Sequence, residues 1–360
     1  MALGRSRRRG AFVPGRRPRS NGQTQGREAS IAPILETNDP TRLGIGFLGQ
    51  PDLRSMIEAG RASELAGFES AWVAETRLTR DAVTGVTALL LNTERMRVGS
   101  SAINVFTRGA ALIAVTWATL SEAAPGRVVL GIGAGSAGPL RQQGFEADHP
   151  VSRLRELTEA VRAAWAARAP ITRVGNHVSF DDLLLEVRPA PTPDIYFCVG
   201  GPRALALAGE IADGVVLDAF LPPAAARQAR AILDSAQPGS GFKGELAGAV
   251  MVSVADSRAE AAAALRPVLA GYLVNFPELA RVSGVDPELT ERLRELAASD
   301  GMEAASRLLS DDLVAAHAVC GPPGACRERV AEYRAAGYDL PILFPVRGSL
   351  MPCIDLLAGA

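Results

Sequence analysis

Cysteine and histidine are scarce, with four and three residues respectively in a chain of 360. The cysteines (Cys198, Cys320, Cys326, Cys353) have the spacing of neither a disulfide scaffold nor a zinc knuckle. Cys198 lies inside an apolar, strand-like run and is expected in the core. His149, His177 and His317 stand far apart with no acid at ligand spacing, so no metal site is expected. No Ser-His-Asp order and no Cys-His pairing can be assembled, which points to a cofactor as the carrier of any difficult chemistry. Aromatic residues make up only 5% of the chain. The core must then be built from Val, Leu, Ile and Ala, as in a parallel sheet wrapped by Ala-rich helices. No run of about 18 uncharged apolar residues exists to span a membrane. Arg7-Arg8 is followed by Pro14, Arg16, Arg17 and Arg19 rather than by an apolar stretch, which argues against a signal peptide. A cytoplasmic protein is expected.

The net charge is −1, unevenly spread. Residues 1–30 carry eight arginines and one acid, a balance of +7 that leaves −8 on the remainder. Residues 1–40 read as a disordered basic extension and 41–360 as the folded domain. A basic tail of this kind can bind nucleic acid, but no such binding is expected here.

From residue 43 onward, short β-rich runs alternate with helical stretches. Strands are expected at 43–48, 70–75, 96–104, 127–132, 194–199, 214–217, 246–254 and 340–344. Helices are expected at 52–65, 81–92, 109–122, 153–168, 202–212, 222–236, 256–271 and 322–336, the first with Asp52 as N-cap and Gly67 as its stop. Residues 170–194, rich in proline, read as an inserted hairpin or loop, and 273–317 as an extra helical segment. Eight βα repeats imply a (β/α)₈ TIM barrel with insertions. An open doubly wound sheet is the rival, but no sequence feature marks its switch point.

In such a barrel the active site lies at the C-terminal ends of the strands. That rule selects Phe47-Leu48, Glu75-Thr76, 102–104, 133–136, 200–202, Leu217-Asp218 and 344–347. Leu130-Gly-Ile-Gly-Ala-Gly-Ser136 runs from a strand into alternate glycines, which expose backbone N–H groups to an anion. A tight βα turn would give the same pattern. In Val199-Gly-Gly-Pro-Arg203, Pro202 sits at a helix start, so a helix N-terminus would point at the rim. Glu75 could act as acid, base or acceptor for a cofactor ring, or pair with Arg77 or Arg80. Asn104 could bond a flavin-like ring or cap the following helix.

Five ordered segments then resemble one known family. They are Gly67-Phe-Glu-Ser-Ala-Trp-Val-Ala-Glu75, Ile103-Asn-Val-Phe-Thr-Arg108, Ala118-Thr-Leu-Ser-Glu122, Gly126-Arg-Val-Val-Leu-Gly-Ile-Gly133 and Leu207-Ala-Gly-Glu-Ile-Ala-Asp-Gly-Val-Val216. Over about residues 43–345 the chain resembles the luciferase-like monooxygenases. Within them it is nearest the methylenetetrahydromethanopterin reductase-like branch that uses the deazaflavin coenzyme F420. The resemblance implies an insertion after the fourth βα unit and a non-prolyl cis peptide behind the cofactor ring, which falls on Ser101–Ala102. It implies that Ser101 and Ala102 lie behind the ring and that the glycine loops, with Gly133, Gly135 and Ser136 and with Gly200, Gly201 and Pro202, bind the cofactor's phosphate end; Phe47 and Asn104, selected by their place at the rim, complete the expected cofactor contacts. The chain departs from that pattern at Gly46, where the reductases often carry an acid, and at Glu75-Thr76, where many F420 enzymes have Asp-His.

The expected function is F420-dependent hydride transfer to or from a small organic substrate, with Glu75 as a candidate proton donor beside water or the substrate itself. The alternative is an FMN-dependent monooxygenase supplied with reduced flavin by a partner reductase. A third reading is a non-catalytic relative that only binds a ligand. By analogy with the family, the Ala-rich outer helices leave room for a homo-oligomer.

Overall fold

The eight apolar runs form eight strands, and each pairs in parallel with the next until the last meets the first. The computed structural model describes residues 42–49, 51–75, 78–237, 239–346 and 348–358. The basic extension therefore lies outside the described residues, as do Thr76, Arg77 and Arg347. The strands are β1 (Gly44–Phe47), β2 (Ser70–Val73), β3 (Arg97–Ser100), β4 (Val128–Gly133), β5 (Asp194–Val199), β6 (Gly214–Leu217), β7 (Glu245–Val254) and β8 (Leu340–Pro345). The ring closes where Gly44 of β1 pairs with Ile342 of β8. This is a closed (β/α)₈ barrel, not an open sheet.

The helices form where their caps predict. Asp52 accepts from the backbone N–H groups of Arg54 and Ser55 at the start of Leu53–Leu65, and Asp81 from Thr84 at the start of Ala82–Asn92. Such caps satisfy donors that a helix start otherwise leaves open. Residues 171–173 and 180–183 pair as the expected antiparallel hairpin. The extra segment resolves into four short helices between Pro277 and His317. A short strand, Val319–Gly321, pairs in parallel with residues 252–254 at the end of β7, beyond the residues that pair with β6, and a final helix covers Leu350–Ala358; neither was expected. The expected third strand breaks after Ser100, and Ile103–Asn104 pairs with β4 as a separate piece.

Alternate residues of each strand face opposite sides. Ile45 and Phe47 of β1, and Ile195, Phe197 and Val199 of β5, pack against the helices. Trp72, Tyr196, Val216, Ala247, Ile342 and Phe344 fill the barrel interior. These rings fit because glycine stands opposite them. A Cβ on Gly99 would lie 2.6 Å from Trp72, and Cβ atoms on Gly46 and Gly214 would strike the rings of Phe344 and Tyr196.

The N-terminal end of the barrel is closed by charge. Arg42 bonds both Glu69 and Glu245. Arg97 Nη2 donates to Glu69 Oε1 at 2.6 Å and to Glu245 Oε2 at 3.1 Å, and the Tyr196 hydroxyl donates to Glu245 Oε2 at 2.9 Å. Hydrogen bonding to Glu69 holds the Arg42 guanidinium above its ordinary range against the cost of burial. Burial, reinforced by Glu245, raises the Tyr196 phenol. The cluster ties the starts of β1, β2, β3, β5 and β7 together, at the barrel face that serves stability rather than catalysis. Truncating one partner strands the others in a buried site. Glu245→Ala is expected to lose about 3 kcal/mol in urea unfolding, whereas a loss below about 1 kcal/mol would mean that the cluster is solvated.

Candidate active site

Above the aromatic filling, the C-terminal rim opens into a cavity of about 450 Å³. Phe344 and Met251 lie at its barrel side, and Tyr272 and Phe276 of the helix Arg258–Asn275 and the turn after it stand on the other. The two aromatic rings stack with centroids 5.1 Å apart. Neither was singled out from sequence, because both fall in the stretch where the βα pattern is interrupted.

Both glycine turns reach this cavity. Gly133 ends β4 and Gly135 follows it, and Gly200, Gly201 and Pro202 follow β5. Gly135 has φ +66°, a conformation that favours glycine. Gly201 caps the helix Pro202–Ile211 with no side-chain hydrogen bond, so the first N–H groups of that helix point at the rim. A Cβ on Gly200 would lie 2.8 Å from Asp218 Oδ2, and one on Gly133 would lie 3.0 Å from the Cys198 carbonyl oxygen. At both turns a Cβ would crowd or collide with neighbouring protein atoms, so glycine keeps the bare backbone at the cavity edge, which fits the phosphorylated arm of a flavin-like cofactor.

Ser101 and Ala102 line the cavity between the turns, and the peptide bond joining them is cis. The Ser100 hydroxyl donates to the Gly131 carbonyl at 2.8 Å and accepts from its N–H at 3.0 Å, clamping β3 to β4 just before the break. Asn104 braces the next turn. Its Nδ2 donates to the Ala134 carbonyl at 3.0 Å, and its Oδ1 accepts from Phe106 N–H at 2.8 Å.

Three expectations need correction. Phe47 is 1% exposed and packs outward against the helices, so Leu48 lines the cavity in its place. Ser136 faces an adjoining cavity of about 520 Å³, which shares Glu75, Asn104 and Gly135 with the first. Cys198 is not a core residue: it faces inward on β5 and lines the cavity, its Sγ 3.8 Å from Ser101 Oγ. Burial pushes its thiol up to about 12, so it stays protonated at neutral pH. The placements of Phe47 and Cys198 follow from strand parity, which rim position alone does not reveal.

Glu75 sits at the rim, but its carboxylate is occupied. Oε1 accepts from Arg108 Nη2 at 2.7 Å and Nε at 3.1 Å, while Oε2 accepts from Asn104 N–H at 3.3 Å. Arg108 also bonds Asp81. The expected partner Arg80 donates instead to the Gly49 carbonyl. A carboxylate held by three donors anchors the β3 loop and is a poor source of a proton. At Gly46 the Phe344 ring occupies the space that a side chain would need, so the acid of the reductases has no room at this position.

Asp218, directly after β6, is the acid that sequence reasoning left without a role. It lines the cavity beside Gly200, and no hydrogen bond to its carboxyl is made among the described residues. Burial pushes the group up to about 6. The signal was legible as a lone acid closing the apolar run Gly214-Val-Val-Leu217, but the same pattern also marks a helix cap.

Comparison with known proteins agrees with this architecture. The sequence profile of the luciferase-like monooxygenase family matches residues 27–340. A 5,10-methylenetetrahydromethanopterin reductase of Methanolobus tindarius is 26% identical over 293 residues, covering 80% of this chain and 89% of the relative. A Mycobacterium tuberculosis protein designated "putative coenzyme F420-dependent oxidoreductase" is 29% identical over 352 residues, covering 90% and 99%. The structure of the coenzyme F420-dependent tetrahydromethanopterin reductase of Methanopyrus kandleri superposes with a TM-score of 0.77 at 21% identity, covering 88% of this chain and 96% of that one.

The environment of Asp218 has a consequence for stability. An unfolded aspartate titrates near 3.9, and the folded group is raised to about 6. Ionisation therefore opposes folding: the cost is absent below pH about 4, grows between about 4 and 6, and is complete above that. Asp218→Asn removes it. The variant is expected to exceed the wild type in stability at pH 8 by up to about 3 kcal/mol and to match it at pH 4, as read from paired melting curves. Equal differences at both pH values would contradict this account.

Proposed function

The chain belongs to the luciferase-like monooxygenase family, and we propose on that premise that it is an oxidoreductase using coenzyme F420 to transfer hydride to or from a small organic substrate. The observation that carries this reading is the convergence on one cavity of three rim segments far apart in sequence. These are the Gly133–Gly135 turn, the Gly200–Pro202 turn and the cis Ser101–Ala102 peptide. The likeness to the mycobacterial relative over nearly its whole length supports F420 as the cofactor.

In this reading Gly200, Gly201 and the N-terminus of the helix Pro202–Ile211 receive the anionic arm of the coenzyme. Ser101 and Ala102 back its ring, and Gly133 and Gly135 let the ring lie close to the backbone. Bound coenzyme supplies the hydride, and the protein supplies orientation and a dry cavity. Tyr272 and Phe276 offer an apolar wall to the substrate. Asn104 and the Glu75–Arg108 pair keep the intervening loop in place.

The test is equilibrium titration of the purified chain with F420 and with FMN. F420 is expected to bind and FMN to bind much more weakly. Gly201→Leu fills the turn and is expected to weaken F420 binding at least tenfold, about 1.4 kcal/mol, with an unchanged melting curve. Binding of FMN without F420, with oxygen consumed when reduced FMN is supplied, would replace this reading with that of a monooxygenase.

A further inference from the structure

Transfer of a hydride to a C=C, C=N or C=O bond leaves the second atom in need of a proton, and the reverse reaction must remove one. Six side chains that can ionise line the cavity among the described residues: Glu75, Cys198, Arg203, Asp218, Tyr272 and Glu278. Glu75 is fixed as an acceptor by Arg108 and by the Asn104 N–H. Glu278 bonds Arg281 at 2.6 Å and 3.1 Å, which holds it ionised below its ordinary range. The Cys198 thiol is too weak an acid, as burial dictates. A guanidinium stays protonated in proteins, which removes Arg203. Tyr272 packs edge-on against Phe220 and stacks on Phe276, serving as wall.

We propose that Asp218 is the catalytic acid and base of this site, giving a proton to the substrate during reduction and taking one during oxidation. The assignment rests on the F420 reading above. Geometry favours it. The carboxyl closes β6 at the rim and borders the turn assigned to the coenzyme. It has no protein partner among the described residues to hold it in one protonation state. In the reducing direction hydride adds to the substrate carbon and the π bond breaks. Asp218 passes its proton to the other atom of that bond and is left as carboxylate, the two electrons having come from the reduced coenzyme. In the oxidising direction the carboxylate accepts the hydroxyl or amine proton as hydride departs. Burial keeps a fraction of the acid protonated near neutral pH, where an exposed aspartate would be fully ionised. Among the groups that share its wall, Cys198 is neutral, while Arg203 and Glu278 carry opposite charges.

The test needs no knowledge of the substrate. The full chain, wild type, Asp218→Asn and Asp218→Glu, is loaded with F420, and the reduction potential of the bound coenzyme is measured from pH 4.5 to 8.5. A carboxyl that titrates within the same cavity couples to reduction of the bound coenzyme, so the wild-type plot of potential against pH is expected to change slope near pH 6. Asp218→Asn is expected to lose that change of slope; Asp218→Glu is expected to keep it at a shifted pH. Superimposable plots for wild type and Asp218→Asn would overturn the assignment and leave the F420 reading intact. Failure of the wild type to bind F420 would overturn the F420 reading, and this assignment with it.

Discussion

Everything at the rim depends on how the barrel is filled below it. A closed ring of eight parallel strands encloses a space that must be packed without voids, and this chain has few large rings with which to do it. It sets Trp72, Tyr196 and Phe344 inside and places Gly99, Gly214 and Gly46 where a side chain would collide with them. Filling from within leaves no passage through the barrel, so a ligand is confined to the C-terminal mouth. Phe344 serves twice, as the packing partner of Gly46 and as part of the cavity wall. The absence of an acid at Gly46 is therefore a packing consequence before it is a catalytic one.

Charge is arranged differently at the two ends. At the N-terminal end Arg42, Arg97, Glu69 and Glu245 bond one another, and four strand starts are held by a network in which each charge has an opposite neighbour. At the C-terminal end Glu75 is paired, while Asp218 has no ion pair or hydrogen bond among the described residues. A buried acid with no partner costs stability, and such cost is commonly found where a group must change protonation state. The proposed chemistry asks for this division: one acid holding the loop, another free to exchange its proton.

The order of elements was legible because helices and strands write different periods into the chain. Asp52 announced its helix, and Gly67 the end of it. The two glycine turns were visible as glycines following apolar runs, and the family likeness located Ser101–Ala102. Phe47 and Cys198 were misassigned for one shared reason. Alternation fixes which residues of a strand lie together, but not which set faces the interior, and one step exchanges helix-facing for barrel-facing. The pairing of Glu75 with Arg108, 33 positions away, could not be read locally, while Arg77 and Arg80 stood nearer in the sequence.

By itself the sequence determined the eight strands and their helices, the insertions, and which segments end at the rim, because these follow from local periodicity, caps and turns. Tertiary structure alone decided that the two glycine turns border one cavity, that Glu75 is bound while Asp218 has no partner among the described residues, and that distant acids and arginines close the barrel floor. Those outcomes depend on closure of the ring, which sets side chains far apart along the chain within hydrogen-bonding reach and excludes water from the groups it leaves unpaired.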